Sequence, residues 1–286
     1  MSDDFSPRPL DPGLYFIATP LGNARDITLR ALDILKTAEV LAAEDTRSLR
    51  RLMEIHGVPL QGRRIIAYHD HNGARARPGL LAALREGRTV AYASEAGSPL
   101  VADPGFQLAK AAIDEDLPVF SAPGPSAVIA ALSVAGLPSD RFTFAGFPPN
   151  AQGARRKFLE SLKSVPGTLI LYESPARLEA TLKAAVDVLG AERPAAVCRE
   201  LTKKFEEVIR GTLVDVLSEI EGRKLKGEIA LCIGAGDQVA DPAEIEAALR
   251  VAMKTQKLKD AAKEVSEKFG VSKRDLYQLG LSFEGS

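Results

Sequence analysis

The stretch Leu14-Tyr15-Phe16-Ile17-Ala18-Thr19-Pro20-Leu21-Gly22-Asn23 decides how the first half of the chain folds. Its first five residues form an apolar run typical of a buried strand, and proline and glycine then break that run. The break has neither the GxGxxG pattern of a dinucleotide-binding turn nor the GxxxxGK[ST] pattern of a P-loop. Taken alone, residues 19–23 have the composition of an ordinary turn between a strand and a helix.

The residues that follow repeat this alternation of strand and helix. Further strands are predicted at 40–43, 65–68, 89–93 and 118–121. We expect Thr46 to cap a helix that stops at Gly57, and Asp103-Pro104 to begin the helix after the fourth strand. Strands separated by helices predict an α/β domain with a mostly parallel sheet and helices on both faces.

A second α/β unit is predicted beyond the proline- and glycine-rich stretch 122–125. Its strands are expected at 142–146, 168–172, 195–199, 207–210 and 228–233, and its helices at about 154–164, 175–189 and 212–221. After about residue 240 the pattern becomes helical and rich in lysine, with two helices joined at Gly270 and Ser272 as an N-cap, as in a helix-turn-helix. We therefore expect domains at 1–122 and 123–240 and a helical tail at 241–286.

The composition limits the class of protein. Hydrophobic residues make up 45% of the 286 residues and charged residues 26%, which is globular, and the net charge of -1 means that nucleic acid would have to bind a local patch. Cys198 and Cys232 lie in apolar runs and are expected to be buried free thiols, which fits a reducing cytoplasm. The polar N-terminus does not resemble a signal peptide, and the apolar stretch 127–135 is too short to span a membrane.

The loops after the strands carry the candidate chemistry, because ligands of open α/β sheets bind beyond the carboxyl ends of the strands. In Ser94–Gly105, Gly97 permits close approach of the backbone to a ligand, and Glu95 and Ser98 supply a carboxylate and a hydroxyl. The stretch 122–127 is either a rigid interdomain linker or a ligand-binding helix start. Residues 172–177 and 226–228 also lie at strand ends but are weak evidence alone.

Together these segments resemble the ribosomal RNA small subunit methyltransferase I family of the tetrapyrrole methylase superfamily. The resemblance runs in register from about residue 13 to 236. It is carried by GLYFIATPLGNARDITLRAL, AAEDTR, YHDHN, SEAGSPLVADPG, PGPSA, LYESPARL, RELTKKFEEVIRGTL and KGEIALCIG. It implies two α/β domains with a cofactor cleft between them and a small helical C-terminal tail. It also implies methylation of the ribose 2′-OH of a cytidine in the decoding region of 16S rRNA.

The resemblance implies that S-adenosylmethionine lies in this cleft, contacted largely by backbone of the strand-end loops. The residues that it places beside the cofactor are Pro20, Leu21, Gly97, Ser98, Pro99, Val101, Ser126, Ala127, Tyr172, Leu201 and Gly227. The chain departs from the family pattern at four positions: Asp70 replaces Glu, Glu95 replaces Asp, Ser98 replaces Thr and Ala102 replaces Ser. Glu95 matters most, because its extra methylene would alter a strict contact.

A ribose hydroxyl is a poor acid, so a base within hydrogen-bond reach would assist the reaction. The candidates are Glu44, Asp45, Glu95, His69 and His71. Glu44 and Asp45 could equally serve as helix caps and pair with Arg47. His69 and His71 alternate as metal ligands can, but no third Cys or His is near in sequence. We expect substrate contact there, assisted by Asn72, with a structural histidine as the alternative.

Basic groups supply the expected contacts with RNA. The RNA-binding candidates are Arg25, Arg47, Arg50, Arg51, His71 and Asn72. The alternative for the arginines is a solvated surface. The expected partners are 16S rRNA or the small ribosomal subunit and a second copy of the chain, with no metal, membrane or DNA. The helical tail either packs on the body or is an RNA-binding appendage.

Three other functions compete with this hypothesis. A tetrapyrrole C-methyltransferase would share the fold, although the EDTR segment, the arginine groups and the tail speak against it. A non-catalytic RNA-binding assembly factor would keep the fold and bind RNA without transferring a methyl group. A nicotinamide-dependent reductase is disfavoured by the first loop.

Overall fold

The computed structural model describes residues 9–236, 242–269 and 271–284. The strands are β1 (Gly13–Ile17), β2 (Val40–Ala43), β3 (Ile65–Ala67), β4 (Thr89–Ala93), β5 (Val119–Ala122), β6 (Phe142–Gly146), β7 (Thr168–Glu173), β8 (Pro194–Arg199), β9 (Glu207–Thr212) and β10 (Ile229–Ile233). The helices are α1 (Leu29–Thr37), α2 (Thr46–Ile55), α3 (Gly73–Arg85), α4 (Phe106–Ile113), α5 (Ala127–Ala135), α6 (Gln152–Leu162), α7 (Pro175–Leu189), α8 (Leu213–Ile220), α9 (Pro242–Met253), α10 (Leu258–Phe269) and α11 (Lys273–Glu284).

The first sheet has the order β3-β2-β4-β1-β5 and is parallel throughout. Alternate residues of β1 face opposite sides of the sheet, as a strand requires. Leu14 and Phe16 pack in the core that includes α3 and α4, whereas Tyr15 and Ile17 pack in the core that includes α1 and α2. The predicted parallel sheet with helices on both faces is confirmed.

The second sheet has the order β6-β7-β10-β8-β9 and is mixed. β6 runs parallel to β7, while the other neighbouring pairs are antiparallel. Helices α6, α7 and α8 cover one face of this sheet, and α5 covers the other. Cys198 and Cys232 are buried there as free thiols, as predicted. Because α5 follows the stretch 122–125 directly, that stretch carries the chain from the first sheet to the second.

Two predicted helix starts are wrong. The carboxylate of Asp45, and not the hydroxyl of Thr46, caps α2 by accepting from two backbone N–H groups. The fourth helix begins at Phe106 and not at Asp103-Pro104. Asp103 instead accepts hydrogen bonds within the loop, including one of 2.7 Å from the Gly105 N–H.

The tail forms a core of its own. Leu249, Ala261, Val265 and Leu276 are buried among α9, α10 and α11. The two predicted helices are present, but the tail prediction missed α9, which packs against them. Ser272 is an N-cap as predicted, since its Oγ accepts from the Asp275 N–H at 3.4 Å. Gly270, the predicted turn residue, lies outside the described residues.

Among the described residues, no helix is both long enough and apolar enough to cross a bilayer.

Candidate functional site

A cavity of about 450 Å³ opens where loops of the two sheets face each other. The loops after β1 and β4 and the start of α5 form one wall. Residues at the ends of β7, β8 and β10 form the other. The lining includes nine of the eleven residues that the family resemblance places beside a cofactor: Leu21, Gly97, Ser98, Val101, Ser126, Ala127, Tyr172, Leu201 and Gly227. A small molecule in this cavity would therefore contact both sheets.

Two prolines of the expected cofactor set lie elsewhere. Pro20 lines a neighbouring groove on the side of α2. Pro99 lines a separate cavity of about 310 Å³ beside β5. The structure therefore places both residues next to the main cavity lining and not within it.

Other lining residues were not foreseen from the sequence. They are Ala96, Ala102, Phe147, Glu173, Ser174, Pro175, Cys198, Glu228, Ile229 and Ala230. Residues 173–175 lie at the end of a strand, which by itself is weak evidence for a binding role. Phe147 follows β6 in a loop, and its place in the cavity depends on how the second sheet faces the first.

The first wall is fixed by hydrogen bonds between its loops. Thr19 and Gly97 exchange two backbone hydrogen bonds of 2.9 Å, and the Ser98 hydroxyl donates to the Pro125 carbonyl at 2.8 Å. Gly97 has a φ of +79°, and a Cβ there would lie 3.0 Å from Leu21 Cδ2. Glycine is thus required both by the backbone conformation and by the close approach of Leu21.

Tyr172 forms an aromatic part of the second wall. Its ring centroid lies 4.7 Å from that of Phe144 and 5.6 Å from that of Phe147. Burial raises the pKa of Tyr172 to about 12, against the opposing effect of a hydrogen bond from the Val128 backbone. The phenol is therefore neutral at physiological pH and offers the cavity an apolar ring with a polar edge.

An ion-pair cluster supports the mouth of the cavity. Lys203 Nζ lies 2.9 Å from Glu200 Oε1 and 2.8 Å from Glu228 Oε2. The stem of Lys203 packs against Gly22 of the first loop, and Gly227, with a φ of +98°, leaves room for the Glu200 carboxyl. This contact ties the loop after β1 to the second sheet.

Glu44 lies at the junction of two acidic neighbours. Its Oε2 accepts from the Glu95 N–H at 3.1 Å, and the negative charge of Asp103 acts on it as well. Burial is the main cause that raises the pKa of Glu44; the Glu95 hydrogen bond opposes it, and the charge of Asp103 adds to it. Glu44 therefore binds a proton more tightly than an ordinary glutamate does.

The pKa of Asp45 is shifted in the direction opposite to that of Glu44, downward. It accepts from the Arg47 N–H at 2.7 Å and the Ser48 N–H at 3.3 Å, and its Oδ2 lies 3.8 Å from the Arg47 guanidinium. The hydrogen bond from Arg47 is the first cause that lowers the pKa of Asp45. The cap and the arginine pair, foreseen as the alternative to a catalytic role, are both present.

A second, open groove of about 540 Å³ adjoins the cavity. Asp45, Arg47 and Arg51 line it together with Pro20, and Glu95 lines both the groove and the cavity. The Arg47 side chain is 93% exposed, so its guanidinium faces solvent while it also pairs with Asp45. Glu95 is thus the residue at which the two spaces meet.

Arg25 and Arg50 are exposed but do not line either space. The Arg25 N–H donates to Asn23 Oδ1 at 3.1 Å, and this bond shapes the turn after β1. Both arginines remain candidates for contacts with a large partner that extends beyond the groove.

The segment after β3 lies outside both linings. The rings of His69 and His71 are 6.1 Å apart, and His69 Nδ1 is buried with no hydrogen-bond partner among the described residues. Asn72 accepts from the His69 N–H at 2.8 Å and donates to the Ala67 carbonyl at 2.9 Å. Its amide therefore shapes the turn, and its expected part in substrate contact stays a prediction.

The alternating spacing of His69 and His71 is also compatible with metal ligands. Over residues 9–236, 242–269 and 271–284, no group of three or more His, Cys, Asp or Glu side chains is arranged to hold a metal ion.

Comparisons with known proteins agree with this architecture. Residues 13–217 match the family model described as Tetrapyrrole (Corrin/Porphyrin) Methylases, and residues 239–283 match the RsmI C-terminal HTH domain. The structure resembles uroporphyrin-III-C-methyltransferase from Thermus thermophilus with a TM-score of 0.56 and 24% identity, covering 78% of this chain and 94% of that one. It also resembles the methyltransferase CobJ with a TM-score of 0.61 and 17% identity, covering 79% and 95%.

Relatives with higher identity share one name. Ribosomal RNA small subunit methyltransferase I of Mesorhizobium japonicum is 48% identical over 95% of this chain and 92% of its own length. The protein of that name from Escherichia coli O157:H7 is 41% identical over 95% and 96%. The chain therefore belongs to the tetrapyrrole methylase family and, within it, to the ribosomal RNA small subunit methyltransferase I family.

Proposed function

We propose that this protein is an S-adenosylmethionine-dependent methyltransferase that modifies the ribose 2′-hydroxyl of a cytidine in the decoding region of 16S rRNA. The observation that carries the proposal is the junction at Glu95 between an enclosed cavity and an open groove lined by arginines. A cofactor and a phosphate-bearing acceptor could meet there. The names of the relatives favour ribosomal RNA of the small subunit as that acceptor.

The residues present fit the cofactor. A cavity of about 450 Å³ is of the size that encloses a small ligand. Gly97 and Gly227 adopt positive φ and bring backbone close to the cavity at points where a Cβ would meet Leu21 or Glu200. We assign Leu21, Gly97, Ser98, Val101, Ser126, Ala127, Tyr172, Leu201 and Gly227 to cofactor contact.

When bound, S-adenosylmethionine supplies an electrophilic methyl group whose leaving group is a neutral thioether. The protein therefore needs to orient the acceptor and remove its proton more than to stabilise a departing anion. The loop containing Gly97 and Ser98 is held rigidly by its hydrogen bonds to Thr19 and Pro125, which favours accurate positioning.

Arg47 and Arg51, and beyond the groove Arg25 and Arg50, are proposed to bind phosphates and give affinity that depends on salt. The tail belongs with this function, because helices of the helix-turn-helix type are suited to nucleic acid. We propose the small subunit in the cytoplasm as the substrate and a homodimer as the working form.

The decisive experiment uses cofactor labelled in its methyl group. The purified protein is incubated with small ribosomal subunits, with naked 16S rRNA and with a porphyrinoid, and labelled RNA is digested to nucleosides for mass spectrometry. We expect 2′-O-methylcytidine from the decoding region. Label in the porphyrinoid alone would overturn the proposal in favour of a tetrapyrrole methyltransferase. Tight RNA binding without transfer at saturating cofactor would identify a non-catalytic assembly factor instead.

A further inference from the structure

The chain leaves β6 through an irregular step that turns an aromatic side chain toward the cavity. The register between β6 and β7 shifts between Phe144 and Gly146, and Gly146 has a φ of +72°. In a regular strand, side chains three positions apart point to opposite faces. Here the rings of Phe144 and Phe147 both contact Tyr172, with centroid distances of 4.7 Å and 5.6 Å. The bulge at the end of β6 therefore re-aims Phe147.

The loop formed by residues 147–151 is held by two arginines. Arg177 Nη2 donates to the Pro148 carbonyl, and Arg155 Nη2 donates to the Asn150 carbonyl at 2.8 Å. The two prolines of this loop fix φ at their own positions. The loop therefore keeps a defined shape beside the cavity, although none of its residues belongs to a helix or a strand.

A buried glutamate fixes Arg177 in turn. The Glu173 side chain has no exposure to solvent, and its Oε1 lies 3.2 Å from Arg177 Nε. Its two oxygens also accept from the Ser174 N–H at 2.8 Å and from the Thr181 hydroxyl at 2.7 Å. A buried carboxylate needs such partners to remain charged, and together they hold the arginine in one orientation. Because Glu173 also lines the cavity, the wall and the support of the loop form one unit.

The cavity offers few surfaces to a flat aromatic ligand. Among the described residues that line it, Phe147 and Tyr172 are the aromatic side chains. Tyr172 packs between two phenylalanine rings, whereas Phe147 is 54% exposed. A half-exposed apolar ring is stabilised when a flat ring covers it and excludes water. Phe147 does not line the arginine groove, so it serves the enclosed cavity and not the space assigned to the acceptor.

The opposite wall suits the other parts of S-adenosylmethionine. This molecule joins one aromatic group, the adenine, to a ribose and a charged amino acid. The first wall presents the Ser98 hydroxyl and the carboxyls of Glu44 and Glu95 to the cavity. These groups can accept or donate hydrogen bonds, but they provide no flat apolar face. The adenine therefore fits best at the aromatic wall.

We propose that Phe147 is a cofactor-binding residue that stacks on the adenine of S-adenosylmethionine, and that Arg177 is the positioning residue that fixes loop 147–151 for this contact. Stacking of a base on an aromatic side chain contributes strongly to binding because every base has a flat π-face. The inference rests on the proposed function for the cofactor alone and needs no RNA acceptor.

The chain contains no tryptophan, so a single introduced indole reports on its own surroundings. Phe147→Trp keeps an aromatic ring at the site, and adenine stacked on an indole quenches its fluorescence. We expect S-adenosylhomocysteine and 5′-methylthioadenosine, which contain adenine, to quench this emission, and homocysteine to leave it unchanged. Phe142→Trp is the matched control, because Phe142 is 39% exposed at the other end of β6 and does not line the cavity. Its emission should respond to none of the three ligands.

Calorimetric titration with S-adenosylhomocysteine measures how much the aromatic face contributes. We expect Phe147→Ala to bind about 10–100-fold more weakly than the wild type, and Phe147→Trp to bind within about threefold of it. Phe147→Leu keeps an apolar side chain without a flat ring and should also bind more weakly than the wild type. Because Phe147 is half-exposed, the unfolding temperatures of these variants should remain close to that of the wild type.

Arg177→Met tests the positioning role. Methionine removes the donor to the Pro148 carbonyl and the pairing with Glu173. It should weaken S-adenosylhomocysteine binding in the wild-type chain but cause no further weakening in the Phe147→Ala chain, because Arg177 acts on the ligand through Phe147. Its effect on stability should be equal in both chains. A loss of affinity that adds in full to that of Phe147→Ala would overturn the positioning role.

Three results would overturn the assignment of Phe147. One is steady emission of Phe147→Trp while calorimetry shows bound S-adenosylhomocysteine, and another is wild-type affinity in Phe147→Ala. The third is quenching by small ribosomal subunits but not by S-adenosylhomocysteine, which would assign the ring to a base of the RNA. A wild-type protein that transfers no methyl group to small subunits would overturn the proposed function, while quenching by the adenine-containing ligands would still support the role of Phe147.

Discussion

The aliphatic stem of Lys203 packs against Gly22 so closely that a Cβ at position 22 would overlap Lys203 Cγ. Gly22 belongs to the loop after β1, and Lys203 to the loop between β8 and β9. The Asn23 N–H adds a 3.3 Å hydrogen bond to Thr202 Oγ1 across the same contact. A loop of the first sheet therefore packs directly on a loop of the second sheet, beside the cavity.

Replacing Lys203 by methionine tests this contact. Met keeps most of the packing against Gly22 but removes the ion pairs with Glu200 and Glu228. Since Lys203 is partly shielded from solvent, we expect a loss of ~1 kcal/mol in the free energy of unfolding and weaker binding of S-adenosylhomocysteine. Urea denaturation and calorimetric titration measure the two effects.

Lys183→Met is the matched control, because Lys183 also bridges two glutamates, Glu179 and Glu221. Neither of these glutamates lines the cavity, whereas Glu228, a partner of Lys203, does. The affinity of Lys183→Met for S-adenosylhomocysteine should equal that of the wild type. Equal losses of affinity in both variants would show that the Lys203 contact has no specific part in ligand binding.

The cavity wall at Gly97 should tolerate no side chain. Gly97→Ala combines a positive φ of 79° with a Cβ only 3.0 Å from Leu21 Cδ2. Gly87→Ala has a similar φ of 74° but meets nothing within 4 Å. Both variants should lose ~1–2 kcal/mol of stability from backbone strain, whereas only Gly97→Ala should weaken S-adenosylhomocysteine binding, by more than tenfold. Thermal shift with and without ligand separates these effects, and a normal shift in Gly97→Ala would contradict the assigned wall.

Asp45 should stabilise helix α2 in a manner that depends on pH. Its pKa is lowered in the folded protein, chiefly by the Arg47 N–H, so its contribution is present above the unfolded-state pKa and is lost as pH falls through the folded value. We expect Asp45→Ala to lose ~1 kcal/mol at pH 7 and less as the pH falls below about 4. Asp45→Asn, a good cap without charge, should retain most of the stability. Denaturation curves that show the same Ala deficit at pH 7 and pH 3 would contradict this account.

The arginines of the groove should govern affinity for RNA and not for cofactor. Arg47→Gln and Arg51→Gln should each weaken binding to small subunits and reduce the slope of log affinity against log salt by about 0.7–0.9. Arg156→Gln, an exposed arginine on α6 that pairs with Glu160, is the control and should leave the slope unchanged. Binding of S-adenosylhomocysteine should be the same in all three. An unchanged slope in the two groove variants would place the phosphate contacts elsewhere.

The apolar runs and their turns determined much of this fold through local chemistry. The side chains of residues 14–17 enter two cores alternately, because a strand places successive side chains on opposite faces. The same local reasoning located Ser272 as a helix cap. It placed the cap of α2 one residue late, because Asp45 and Thr46 both suit a cap and the path of the backbone chooses between them.

The tertiary structure alone decided which acidic side chains and loops lie next to each other. Glu44 and Glu95 each follow a strand, and adjacency of β2 and β4 in the sheet brings the Glu95 N–H within 3.1 Å of Glu44 Oε2. The state of a carboxyl depends on its burial, its donors and its neighbours, which come from distant parts of the chain. The sequence therefore determined the strands, the family and the candidate residues, whereas the packing of one loop on another decided which of these residues meet beside the cavity.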